Sequence, residues 1–166
     1  AAPLLVAVRA DQADIVLALL ERGAFADFKG AGETPLARAV KNGNTILVRA
    51  LLAAGADPDR RGDDGDAPLH AAVRAGRAGL VAVIARAGPD FRLFDREGLT
   101  PLGLAASIGQ TAAAQALIDA GAPLELGDRK RHPPLWWAFS VGDFEMARLL
   151  LKNGAQAGGM PVETLN

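Results

Sequence analysis

Residues 66–76 read Asp66-Ala67-Pro68-Leu69-His70-Ala71-Ala72-Val73-Arg74-Ala75-Gly76, a proline-led apolar run closed by glycine. The phrase recurs. Prolines stand at Pro3, Pro35, Pro68, Pro101 and Pro134, at intervals of 32, 33, 33 and 33 residues. Eight residues after each comes Asp11, Gly43, Gly76, Gly109 or Gly142, and twenty after each comes Gly23, Gly55, Gly88, Gly121 or Gly154. A period of this length marks one supersecondary unit copied in a row, each copy too thin to bury its own apolar face.

Each unit starts a helix at its proline, which loses no helical bond at the first position, and Thr34 and Thr100 are placed to cap an orphan amide. That helix is short and stops at the mid-unit glycine, which permits a left-handed exit. A second apolar run follows, such as Ile46-Leu47-Val48-Arg49-Ala50-Leu51-Leu52, with its polar residues spaced as on one helical face. Gly55 ends it, and the polar stretch Ala56 to Ala67 is an extended loop or hairpin before the next proline.

These residues resemble the ankyrin repeat, whose pattern has a threonine-proline-leucine start, an alanine pair, a mid-unit glycine and a leucine-leucine-x-x-glycine-alanine end. Pro68-Leu69-His70-Ala71-Ala72 with Gly76, and Leu51-Leu52-Ala53-Ala54-Gly55-Ala56, carry it most closely, and the match runs over about residues 3–157. The resemblance implies an all-α ankyrin-repeat solenoid of five helix-turn-helix units joined by β-hairpin-like loops. It is expected to form a single domain over residues 1–166, with units at about 1–32, 33–65, 66–98, 99–131 and 132–157 and a C-terminal tail at 158–166. The departures are specific. Asp11 replaces a turn glycine, Ala2, Ala67 and Pro133 replace the capping threonine, and only His70 keeps the histidine two residues after the proline. Arg131 stands where a hairpin glycine is expected, so the hairpin leading into the fifth unit is expected to be irregular.

The chain is 50% hydrophobic but only 5% aromatic, which suits thin alanine-lined helices packing closely. Its net charge of -1 exerts no general pull toward nucleic acid or anionic membrane. Without cysteine there is no disulfide framework. No apolar run reaches the roughly 18–20 residues of a membrane span, so no membrane insertion is expected. Arginine outnumbers lysine beside abundant alanine and glycine, the composition of a GC-rich bacterial gene. The chain begins at Ala1 without methionine, which reads as processing or truncation; the compartment stays open, with the cytoplasm favoured over the periplasm or secretion.

Repeat arrays close with polar-faced capping units, and neither end here does so. The start, with Ile15-Val16-Leu17-Ala18-Leu19-Leu20, reads as a fragment of a longer array. At the other end the tail from Gln156 to Asn166 is expected to fold over the last unit, with Met160, Pro161, Val162 and Leu165 to bury. Trp136 and Trp137 read as terminal packing. Uncapped ends also offer self-association.

Catalytic constellations are missing: there are two histidines, no cysteine, no tyrosine and no phosphate loop or zinc motif. His70 reads as a structural residue bonding neighbouring loops, and Ser107 and Ser140 as repeat positions without an adjacent base. No cofactor is implied. Asp57, Asp59, Asp63, Asp64 and Asp66 crowd one hairpin without calcium-loop spacing, and Arg60 and Arg61 sit among them to neutralise it. Arg129-Lys130-Arg131-His132 forms a small basic tip with no aromatic stacking platform expected beside it, so no nucleic acid is expected. Between the acidic second hairpin and the basic fourth lie Phe91, Leu93 and Phe94, the anatomy of a protein-binding strip.

In ankyrin repeats, partners are held by hairpin tips and the exposed ends of the first helices along a concave groove. Carried over by offset, that resemblance names Lys41, Asn42, Arg74, Ser107, Ile108 and Ser140 on the groove floor, and Asp63, Asp64, Asp66, Leu99, Arg129, Lys130 and His132 at the tips. Arg74 and Ile108 are expected outside the inter-repeat core. The expectation is a non-enzymatic module binding a partner protein whose identity the residues do not name. Its rivals are an inhibitor or immunity-type protein covering a toxin or enzyme, and a targeting domain of a larger enzyme.

Overall fold

The computed structural model describes residues 2–30 and 32–159. Ten α-helices run through them: α1 (Pro3–Arg9), α2 (Ala13–Glu21), α3 (Pro35–Asn42), α4 (Thr45–Ala53), α5 (Pro68–Arg74), α6 (Ala78–Ala85), α7 (Pro101–Ile108), α8 (Thr111–Asp119), α9 (Pro134–Ser140) and α10 (Phe144–Lys152), then a 3-10 turn at Ala157–Gly159. No β-strand occurs among the described residues; the hairpins carry at most an isolated bridge between Gly30 and Glu33. Odd helices stack on odd and even on even, making two layers of a solenoid.

The core repeats with the sequence. Leu36, Leu69, Leu102 and Leu135 open the odd helices and are buried, as are Leu47, Leu80, Ala113 and Met146 in the even ones. Leu51, Ile84, Leu117 and Leu150 close the even helices with no exposed surface. At Ala39, Ala72, Ala105 and Ala138 a fully buried methyl is all that separates the layers, which is why alanine is abundant and aromatics are few.

Local caps follow the threonines. Thr34 Oγ1 accepts from the N–H of Ala37 at 3.0 Å and Thr100 Oγ1 from that of Gly103 at 3.1 Å, while Ala2, Ala67 and Pro133 supply no cap bond. Asn44 and Asp143 cap α4 and α10.

The hairpin into the fifth unit is regular, contrary to the expectation from Arg131. Asp128 N–H donates to His132 O at 3.0 Å and Arg131 N–H to Asp128 O at 2.8 Å, as Asp95 does with Leu99 and Gly98 does with Asp95. Arg131 takes φ 71°, beside 79°, 83° and 85° for the glycines at the same offset. The strain of a left-handed non-glycine is accepted and the pairing kept. Gly127 makes room for it, since a Cβ there would lie 2.6 Å from the carbonyl carbon of Arg131.

At the end of the array Phe139, Val141, Phe144 and Leu151 are exposed, whereas Leu52 and Ile118, at the offset of Leu151, are partly buried against the core. Met160, Pro161, Val162 and Leu165, expected to cover this face, lie outside the described residues.

Candidate functional site: a groove that changes chemistry along its length

In the second and third units the groove offsets hold ion pairs. Glu33, with its side chain only 11% exposed, receives Arg9 at 3.3 Å, Arg38 at 3.0 Å and Lys41 at 3.6 Å, and Lys41 reaches on to Asp64 at 3.6 Å. Asn42 donates to Val8 O at 2.7 Å, tying α3 to α1. One unit on, Arg74 binds Asp66 at 2.9 Å, Asp95, and Glu97 at 3.3 Å. Asp66 and Asp95 are buried, so Arg74 is the shared counter-ion of two hairpins. Arg74 thus stays outside the hydrophobic core but ties two hairpins together through ion pairs. Asp66 is likewise turned inward and offers no side chain to a partner.

The aspartate cluster is neutralised by different cations from those the sequence placed there. Asp63 pairs with Lys29 at 2.9 Å, Asp64 with Lys41 and Asp66 with Arg74, whereas Arg60 reaches back to Asp27 at 2.8 Å and Arg61 donates to Gly65 O. Asp59 accepts from the N–H of Asp90 at 3.0 Å and 3.1 Å, and burial raises its pKa. Among the described residues no group of three or more His, Cys, Asp or Glu side chains is arranged to hold a metal ion.

His70 is fully buried and bonds Leu99 O through Nε2 at 3.2 Å, linking the third unit to the third hairpin, which leads into the fourth unit. A carbonyl only accepts, so Nε2 carries the proton, and Nδ1 alone is left unprotonated, buried and without a partner. Burial pushes the His70 pKa down. Leu99 itself is buried; its role here is its carbonyl, and its side chain shows little to solvent.

In the fourth and fifth units the same offsets change character. Those of Glu33, Arg38 and Lys41 become Leu99, Leu104 and Ser107, then His132, Trp137 and Ser140. Ser107 donates to Leu104 O at 2.8 Å; Ile108, 44% exposed, and Ser140 face solvent. Arg129, Lys130, His132 and the edge of Leu99 line a cavity of about 340 Å³ with Glu97, Asp128, Trp136 and Trp137. The His132 ring stacks on Trp136, centroids 3.9 Å apart and planes 14° from parallel, and Trp137 meets Trp136 edge-on at 4.9 Å. The guanidinium of Arg129 lies over the Phe94 ring, 5.6 Å from its centroid.

An aromatic platform therefore does stand beside the basic tip, and sequence reading missed it. Trp136 and Trp137 are half-buried, Trp137 packs against the core, both line the cavity, and their buried indole N–H groups lack a hydrogen-bond partner. The available signal was the offset: Trp136 occupies the position that His70 fills two units earlier, within reach of its own hairpin. The sequence-named residues thus divide. Lys41, Asn42, Asp63, Asp64, Asp66 and Arg74 are tied into the scaffold, while Arg129, Lys130 and His132 converge on one cavity.

Comparison with known proteins follows the same repeat. The family model described as ankyrin repeats, three copies, matches residues 4–95 and again 69–158. A 59-residue stretch is 41% identical to zygote-specific protein 3 of Chlamydomonas reinhardtii, spanning 36% of this chain and 16% of that protein.

Proposed function

The chain belongs to the ankyrin-repeat family, and on that premise we propose that it is a non-enzymatic interaction module that seats a partner protein on its concave face. The observation that carries this reading is the change of chemistry along equal offsets. Glu33, Arg38 and Lys41 are ion-paired among themselves, whereas Ile108 and Ser140 are exposed and the Trp136–Trp137 face is half-open. Equal offsets in stacked repeats point the same way, so these residues form one surface that an extended segment can cross. Half-buried tryptophans beside an exposed isoleucine and a charged rim make the composition that concentrates binding energy.

The test is affinity capture with the full chain, followed by measurement of the captured partner's Kd. Ile108→Glu should weaken binding by at least about 2 kcal/mol if it sits in the central contact. Arg49→Glu and Arg148→Glu, exposed on the even helices, should leave Kd unchanged. The opposite pattern would place the partner on the convex side and sink the reading.

A further inference from the structure

We infer that the cavity between the fourth hairpin and α9 reads an acidic side chain on the partner: a carboxylate flanked by an apolar residue in an extended peptide segment. The inference rests on the concave face being the protein-binding face, and it adds the chemistry of what is bound.

The reasoning is an inventory of donors and acceptors around the cavity. Its acidic groups are already engaged. Glu97 pairs with Arg74 at 3.3 Å. Asp128 accepts from the backbone N–H of Lys130 at 2.8 Å and of His132 at 2.9 Å through Oδ1, and its Oδ2 contacts His132 Nδ1 at 3.2 Å. Its donors are not. Neither the Trp136 nor the Trp137 indole N–H has an acceptor, and among the described residues neither Lys130 nor Arg129 is ion-paired. A desolvated N–H without an acceptor is a cost that an incoming oxygen relieves, and a carboxylate bonded by N–H donors beside cations makes the stronger, charge-assisted kind of bond. The acidic hairpin shows the reverse condition, since Asp63, Asp64 and Asp66 are each paired within the fold.

Other ligand classes fit less well. A nucleobase or a cation would use the face of Trp136, and the His132 ring covers one side of it at stacking distance. A phosphate backbone needs a track of cations, and the neighbouring tip carries Glu97 and, further along, Asp63 and Asp64. A cavity of about 340 Å³ takes one or two side chains, and the half-buried Trp136 and Trp137 rings supply the apolar contact beside the carboxylate.

The protein has only two tryptophans, so intrinsic fluorescence reports this cavity and nothing else. A random seven-residue peptide display library is selected on the full chain. An enriched peptide is then titrated by tryptophan fluorescence, with an oligo-dT 12-mer in parallel. Enrichment of Asp or Glu beside an apolar residue is expected. Lys130→Glu and Trp136→Phe, the second keeping an aromatic ring, though a smaller one, and losing the N–H, should each raise Kd about tenfold or more. Enrichment of Lys or Arg, absence of any enrichment, or saturable oligo-dT binding without peptide binding overturns the proposal. Peptides whose binding is lost with Ile108→Glu but untouched by Lys130→Glu and Trp136→Phe would overturn it while leaving the groove reading in place. Peptides indifferent to all three variants, and lost with Arg148→Glu, would overturn both.

Discussion

Asn44 Nδ2 donates to Asp11 Oδ1 at 2.9 Å, joining the residue that caps α4 to the turn residue of the unit before it. Asp11 holds φ 55° where every later unit has glycine. In the next unit Arg77 takes the place of Asn44, and its guanidinium lies 2.1 Å from where a Cβ on Gly43 would sit. The neighbouring unit therefore decides which residue the turn tolerates: a short amide accepts an aspartate, and an arginine lying across the turn requires glycine. Gly43→Asp should lower stability by about 1–2 kcal/mol from the left-handed backbone alone, with the displaced Arg77 adding to it. Asp11→Gly should change it by much less. Urea midpoints of the two variants check this, and equal losses would sink it.

Arg131 carries the same strain with no compensating side-chain bond. Arg131→Gly should raise stability by about 1 kcal/mol while leaving the hairpin intact. Gly127→Ala should lower it, because the methyl meets the Arg131 backbone at 2.6 Å. A thermal melt in which Arg131→Gly is destabilising would show that its side chain contributes something the geometry omits.

Ala67 leaves α5 uncapped at the position where Thr34 and Thr100 bond their helices. Ala67→Thr places a hydroxyl within reach of the His70 N–H and should stabilise by about 1 kcal/mol. The site is as buried as the two threonines, at 2%, so the added atoms have a precedent at the same offset. A loss of stability would mean that the corner is tighter in this unit than in its neighbours.

His70 makes stability depend on pH with a defined sign. Its folded pKa lies below the ordinary 6.5, because burial disfavours the imidazolium. The unfolded chain therefore binds more protons between the two values, so stability falls as pH drops from about 6.5 toward the folded value. His70→Gln should flatten the stability profile across that window relative to its value at pH 8. A profile unchanged by the substitution would assign the acid sensitivity to other groups.

Leu51 has no exposed surface and closes α4, a helix that packs on α2 and α6 of the neighbouring units. Leu51→Ala should cost about 2–5 kcal/mol, whereas Ile108→Glu, at 44% exposure, should leave the melting temperature nearly unchanged. Comparable losses from both would mean that Ile108 packs between units, and it could then no longer serve as a fold-neutral test of the groove.

The period of the prolines and glycines was enough to establish the repeat, the two short helices per unit and the buried leucine set. Those features come from local backbone demands and from a hydrophobic pattern that a single unit already displays. The departures at Asp11, Ala67 and Arg131 were also visible as breaks in the period. Their consequences depended on what lay beside them in space: Asn44 beside Asp11, the uncapped backbone N–H of His70 beside Ala67, and Gly127 beneath Arg131. The groove residues separated in the same way. Arg74 looked like a free cation until Asp66, Asp95 and Glu97 closed around it from two hairpins, and Trp136 looked like end packing until His132 stacked on it. Sequence by itself determined which residues recur and therefore which face they share. Only tertiary structure decided which of their charges and N–H groups already have partners, because those partners come from the adjacent unit or its hairpin, and side chains reaching across the stack leave no periodic trace.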